Sequence, residues 1–259
     1  MIPSVLATQL KQGLKDYIGT TFPISTPGFQ GCVQRFLDAP EMVFRAPYVS
    51  VQLPFRISEE GQDRFPAIHQ PFLPYVHQQL AFESLSGEDS VSTLVATGTG
   101  SGKTECFLYP LLDYCWRHRG EPGIKALIIY PMNALATDQA HRIAKLIYAN
   151  PDLRGNITAG LYVGGHEADA SKVMGMDSII TDHEMLRQSP PDILLTNYKM
   201  LDYLLIRPQD ALLWQNNRPD SLKYIVVDEL HTFDGAQGTD LACLLRRLKS
   251  RLYTPKGYV

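Results

Sequence analysis

From about Pro71 onward, short and nearly continuous apolar runs alternate with stretches of helical periodicity, a rhythm few folds can satisfy. Candidate strands are Thr93–Thr97, Ala126–Tyr130, Ile157–Val163, Ile193–Thr196 and Tyr224–Val227. Helical stretches lie at Lys103–Arg117, Ala134–Tyr148, Tyr198–Ile206 and Gly238–Leu252. Strands this uniformly apolar are buried on both faces, which predicts an α/β fold whose parallel sheet carries helices on both sides. In such doubly wound sheets, ligands bind beyond the carboxyl ends of the strands.

Residues 1–70 have a different texture, because Pro3, Pro23, Pro27, Pro40, Pro47, Pro54 and Pro66 break any long element. Leu6, Leu10, Leu14 and Tyr17 recur at helical spacing over Val5–Ile18, with Gly13 weakening that helix, and Val49–Leu53 reads as a short strand. We expect an N-terminal accessory segment over residues 1–70 and the α/β domain over 71–259.

Composition narrows the setting. Hydrophobic residues make up 44% and charged residues 20%, the profile of a folded globular protein. Runs such as Ala126–Tyr130 are far too short to span a bilayer, and Lys11, Lys15 and Asp16 interrupt any secretory apolar core. A cytoplasmic protein without a membrane partner is the expectation. Cys32, Cys106, Cys115 and Cys243 are widely spaced, form no metal-ligand pattern, and read as reduced thiols. The net charge of −3 supplies no global basic field, so any grip on nucleic acid must come from a local groove.

The run Ala96-Thr97-Gly98-Thr99-Gly100-Ser101-Gly102-Lys103-Thr104 follows a predicted strand and opens a predicted helix. Its glycines let backbone N–H groups turn inward around phosphates, and the helix N-terminus adds partial positive charge. Lys103 is placed to reach the β and γ phosphates of ATP, and the Thr104 hydroxyl to ligate Mg²⁺. A second half of the site stands at the end of Tyr224–Val227, where the strand runs into Asp228 and Glu229. Asp228 suits Mg²⁺, directly or through water, and Glu229 suits polarising an attacking water. Adjacent carboxylates are costly unless a cation compensates them, which favours a functional role.

With His231 completing an Asp-Glu-Leu-His tetrad, the sequence resembles superfamily 2 DEAD/DEAH-like helicases, specifically their first RecA-like domain, over about residues 71–259. The resemblance implies a RecA-like P-loop fold, ATP and Mg²⁺ as cofactors, and nucleic acid as partner. Thr97 stands where the strict loop pattern has glycine, a relaxation this superfamily tolerates. Tyr75-Val76-His77-Gln78 looks like the Q motif, which implies that Gln78 reads the adenine edge. Tyr130-Pro131-Met132-Asn133-Ala134-Leu135-Ala136-Thr137-Asp138-Gln139 looks like motif Ia, and Asp192-Ile193-Leu194-Leu195-Thr196-Asn197-Tyr198 like motif Ic. Pro131, Asn133, Thr196 and Asn197 are therefore candidate contacts to the nucleic-acid backbone, and His231 resembles the residue that couples the nucleotide site to the second motor domain. Asn133 and Thr196 also stand where helix N-caps would, and both readings remain open. Gly164-Gly165-His166-Glu167 lies where motif Ib belongs, with a simple turn as the other reading. Arg246, Arg247, Lys249 and Arg251 make one helix basic, as a solvated face or a nucleic-acid contact.

The wording around these motifs resembles the large bacterial helicases related to mitomycin repair factor A, some of whose relatives act in anti-phage systems such as Druantia and DISARM. That branch implies DNA rather than RNA. A complete motor also needs a second RecA-like domain carrying an arginine finger, in cis or in trans. Motif III is not visible, so a fragment or a split protein is expected, binding ATP–Mg²⁺ but hydrolysing it slowly alone. Two other readings stand beside the helicase: an ATP-driven translocase that remodels duplexes without unwinding, and a non-catalytic nucleotide-sensing module.

Overall fold

The computed structural model of the chain describes residues 3–39, 53–59, 64–87, 90–98, 100–164 and 170–255. It divides into two compact units, Met1–Pro54 and Phe55–Val259. The described residues among 55–70, grouped by the sequence with the accessory segment, belong to the larger unit, and Phe65, Ala67 and Ile68 are buried in its core.

The first unit holds α1 (Pro3–Thr21) and α2 (Cys32–Asp38). The helix expected over Val5–Ile18 extends by a few residues at each end, and Gly13 is tolerated with open space around it. Its spaced apolar residues Leu6, Leu10, Leu14 and Tyr17 are exposed. An ion pair between Lys15 and Asp38 ties the two helices together. The strand expected over Val49–Leu53 falls, for residues 49–52, outside the described residues.

The second unit runs through α3 (Val76–Leu85), α4 (Lys103–Arg117), β1 (Ala126–Tyr130), α5 (Asn133–Ala149), β2 (Ala159–Tyr162), α6 (His183–Gln188), β3 (Ile193–Asn197), α7 (Tyr198–Ile206), β4 (Tyr224–Val227) and α8 (Gly235–Arg251). The four described strands pair in parallel, in the order β2-β3-β1-β4, with one isolated antiparallel bridge between Ile57 and Tyr75. Successive side chains on a strand point to opposite faces, and β1 shows this directly. Ala126, Ile128 and Tyr130 enter one core with Leu111 of α4 and Ile143 of α5. Leu127 and Ile129 enter the other with Leu204 of α7 and Leu244 of α8. Each such buried aliphatic contributes about 1.5–3 kcal/mol, so burial on both faces is what makes the strand sequence continuously apolar.

The strand expected over Thr93–Thr97 does not form. That segment pairs with no described strand, and Leu94 is exposed. A locally strand-like run becomes a strand only where a neighbour supplies ladder partners. Because every strand is parallel, the carboxyl ends of β1, β2, β3 and β4 emerge on one edge of the sheet. Among the described residues no helix is long and apolar enough to cross a membrane.

Candidate nucleotide site and strand-facing loops

The glycine-rich loop leads into α4 through Gly102, which adopts a left-handed conformation (φ 71°), as does Gly100 (φ 75°). Positive φ is cheap for glycine alone, and it lets the chain turn tightly into the helix start. The loop is bonded from within. Thr97 and Ser101 share a hydroxyl hydrogen bond of 2.6 Å, and Lys103 Nζ donates to the Thr97 carbonyl at 3.1 Å. Ser101 is fully buried, and Gly98 is exposed. Thr99 lies outside the described residues.

Helix α3 braces the loop from the other side. Gln78 sits in its first turn, accepting from the Tyr75 N–H at 2.8 Å and donating to the Gly102 carbonyl at 3.0 Å. Its neighbour His77 bonds the Ser101 carbonyl at 2.9 Å and stacks on the Tyr75 ring, with centroids 5.6 Å apart. Gln78, Gly100, Ser101, Gly102, Lys103 and Thr104 together line a cleft of about 950 Å³, with Phe72 and Tyr75 also on its wall. Apolar walls with a few fixed polar groups are the usual make-up of a ligand pocket.

Asp228 and Glu229 follow β4, whose Asp228 N–H still bonds the Ile129 carbonyl of β1 at 3.0 Å. Burial raises the Asp228 carboxyl above its ordinary value, and the Glu229 charge adds to this. The Glu229 N–H, at 2.9 Å from Asp228 Oδ1, and the cationic Lys103 and Arg142 pull the other way without restoring it. Glu229 holds φ at 51°, a left-handed backbone that is strained for a side-chain-bearing residue. Its carboxylate pairs with His231 Nδ1 at 3.3 Å, and both side chains are exposed.

These groups fit a magnesium nucleotide. The inward-turning glycines and Lys103 offer a phosphate cradle, and a desolvated carboxylate whose charge is incompletely balanced favours a cation beside it. Among the described residues no group of three or more His, Cys, Asp and Glu could hold a metal, so an ion here would share its coordination with phosphate and water.

On the same edge of the sheet a second set of polar groups converges. Asn133, at the start of α5, donates to the Gly164 carbonyl at 3.0 Å and accepts from Asn197 at 2.5 Å. Asn197 is itself the cap of α7, accepting from the Met200 N–H at 2.7 Å. Of the two readings for Asn133 and Thr196, N-capping belongs to neither: Met132 precedes α5 as its cap residue, and Asn197 caps α7. Thr196 is buried, its hydroxyl donating to the Tyr162 carbonyl at 2.7 Å, so that side chain faces the interior rather than a passing strand. Pro131 stands between β1 and α5 and is partly exposed. Residues 165–169 of the motif Ib-like segment lie outside the described residues. On α8, Arg247 pairs with Asp202 and Arg251 donates to the Leu205 carbonyl, so two of its four cations serve packing against α7.

A family model described as DEAD/DEAH box helicase matches residues 75–257. The chain belongs to that family. Its relatives include the Druantia protein DruE of Escherichia coli (strain UMEA 4076-1), 27% identical, the match covering 95% of this chain and 19% of that protein. Among solved structures, the DUF1998 helicase MrfA bound to DNA is 31% identical with a TM-score of 0.52, covering 70% of this chain and 23% of that one. Mycobacterium smegmatis helicase Lhr bound to ssDNA and AMP-PNP is 26% identical with a TM-score of 0.50, covering 70% and 22%. The chain thus spans about a fifth of the length of the relatives it matches. The fold is the RecA-like α/β architecture of these helicase domains.

In this DEAD/DEAH box helicase domain, several site contacts have no local sequence pattern. His77 reaches the phosphate loop from a helix the sequence did not predict. Behind the Asn133 cluster, Tyr162, Arg187 and buried Asp210 bond one another at 2.7–2.8 Å, fixing the end of β2 to α6 and to the 3-10 helix Pro208–Trp214. Residues so far apart in the chain share no spacing rule. Arg142 of α5, which pairs with Glu105 on the cleft wall, was likewise invisible.

Proposed function

We propose that the chain is the ATP-binding motor domain of a DExH-type superfamily 2 helicase or translocase acting on DNA in repair or anti-phage defence. The observation that carries this reading is the cleft, in which a glycine cradle, the Lys103 amine and the Gln78 amide line one cavity beside a desolvated Asp228. In the proposed assignment Gln78 reads the adenine edge, and the backbone of residues 97–102 with Lys103 holds the phosphates. Thr104 and Asp228 would hold Mg²⁺, which when bound draws negative charge from the phosphates. Glu229 orients a water and accepts its proton, and His231, bonded to Glu229, couples that carboxylate to a second RecA-like domain.

Pro131, Asn133 and Asn197 are proposed to contact the nucleic-acid backbone, with Thr196 holding their loop in place. Contacts of this kind bind phosphate without reading sequence, as a translocating motor requires. DNA is favoured over RNA by the relatives MrfA, bound to DNA, and Lhr, bound to ssDNA. We assign the motor's motifs to residues 71–259 and an accessory role to the chain before Phe55, with the stretch up to residue 70 packing as part of the motor's unit, and place the chain in the cytoplasm, a setting supported by four free cysteines.

The test is titration of a fluorescent ATP analogue with Mg²⁺, followed by ATPase assays with single-stranded DNA, duplex DNA and RNA. The motor reading expects binding by the chain alone and slow turnover. Robust nucleic-acid-stimulated hydrolysis by residues 1–259 would remove the need for a second domain, and binding without any hydrolysis in the longer polypeptide would favour a sensing module.

A further inference from the structure

Helix α5 touches both ends of the proposed machinery. Its first residue, Asn133, joins the strand-facing cluster with Gly164 and Asn197. Nine residues on, about 13 Å along the axis at 1.5 Å per residue, Arg142 pairs with Glu105 on the wall of the nucleotide cleft. Glu105 belongs to the first turn of α4, two residues after Lys103, so any shift of the phosphate loop carries Glu105 with it. Ala136, Ala140, Ile143, Ala144 and Ile147 bury the inner side of α5, so its two ends are joined through one packed helix face.

This ion pair differs from an ordinary surface pair. Lys145, on the same helix, pairs with Asp177 of the segment before α6, and both side chains are more than half exposed, the kind of contact that contributes little. Glu105 is 23% exposed, and its Oε2 atom is buried with no hydrogen-bond partner among the described residues. A carboxylate so placed repels incoming phosphate unless its charge is matched. Arg142 matches it through a charge-assisted hydrogen bond to Glu105 Oε1. The Arg142 charge also reaches Asp228 across the cleft.

We propose that the Glu105–Arg142 pair is the link by which nucleotide in the phosphate loop sets the position of the Asn133 end of α5. Arg142 is a positioning residue, and the inference rests on the nucleotide-site reading above. Hydrogen–deuterium exchange of residues 131–137 with and without AMP-PNP and Mg²⁺ tests it, beside direct titration of the same analogue. In the wild-type chain the analogue slows exchange there by about fivefold, the low end of usual coupling between sites. Arg142→Gln abolishes that slowing and weakens analogue binding on the order of tenfold, because Glu105 is left unmatched. Glu105→Ala combined with Arg142→Gln restores binding to within about threefold while the slowing stays lost, a split no simple packing defect produces. Arg142 is 45% exposed, so its replacement is compatible with folding, and the double variant's recovered binding checks this. Slowing that persists in Arg142→Gln, or a double variant as weak as the single one, overturns the link alone. Failure of the wild-type chain to bind the analogue overturns the link and the nucleotide-site reading together.

Discussion

The two halves of the candidate nucleotide site are built on opposite terms. The phosphate loop is held by its own bonds: Thr97 to Ser101, Lys103 to Thr97, and His77 and Gln78 to successive carbonyls. The acidic pair is held against its preferences, with Asp228 desolvated and Glu229 in a left-handed backbone. One half is a finished scaffold, and the other holds a desolvated charge that a cation would offset beside a strained backbone turn. Strain persists at such positions only where the surrounding structure enforces it, here the parallel pairing of β4 with β1.

That contrast makes testable demands, the largest on the scaffold side. Lys103→Ala should weaken Mg–ATP binding by about 100-fold or more, as removal of a charge partner from a pocket does, measured by fluorescent-analogue titration. Glu229→Gln should instead leave binding within about threefold and cut single-turnover hydrolysis by 10²–10⁴, roughly the contribution of a general base. Equal losses of binding in both variants would erase the distinction between the halves. Gly102→Ala should destabilise the chain by about 1–2 kcal/mol and lower Tm by about 3–6 °C, since alanine resists positive φ. Its Cβ would also meet Gln78 Nε2 at 2.4 Å, so analogue affinity should fall with it.

The smallest effect has the opposite sign. A carboxyl raised above 3.8 in the folded state favours folding when protonated, and that stability is lost as pH rises through the raised value. At neutral pH, Asp228→Asn should therefore raise the Tm of the ligand-free chain by about 1–3 °C. The gain should vanish below about pH 3.8 and reverse when Mg–ATP is present. Thermal melts across pH, with and without nucleotide, decide it.

Much of this was legible in the chain. β1, β3 and β4 were readable because burial on both faces leaves an unbroken apolar run, and α5 and α7 because their starts follow β1 and β3 directly. Glycines before a lysine, and paired acids at the end of β4, marked the candidate nucleotide site because phosphate and cation chemistry call for those residue types side by side. Thr93–Thr97 misled, since a ladder partner is a property of the whole sheet and not of five residues. α3 was missed although Gln78 was singled out, because Pro71 and Pro74 just upstream obscure a helix start that Gln78 caps from within by accepting from the Tyr75 N–H. The Tyr162–Arg187–Asp210 cluster and the Glu105–Arg142 pair left no trace, because each joins distant segments and only packing reveals it. Asn197 carried a usable signal: asparagine directly before a helical stretch is a strong cap candidate.

The uncovered side of β4 has a practical consequence. Its residues Ile225, Val226 and Val227 are only partly buried, and β1 pairs with one edge alone among the described strands. A strand laddered on one edge alone among the described strands, with partly exposed β-branched side chains, is a template for intermolecular strand addition. The chain handled alone should therefore be colloidally fragile, with turbidity rising steeply with concentration. A charged residue placed on that edge, as natural sheets do, is the first remedy to try for solubility.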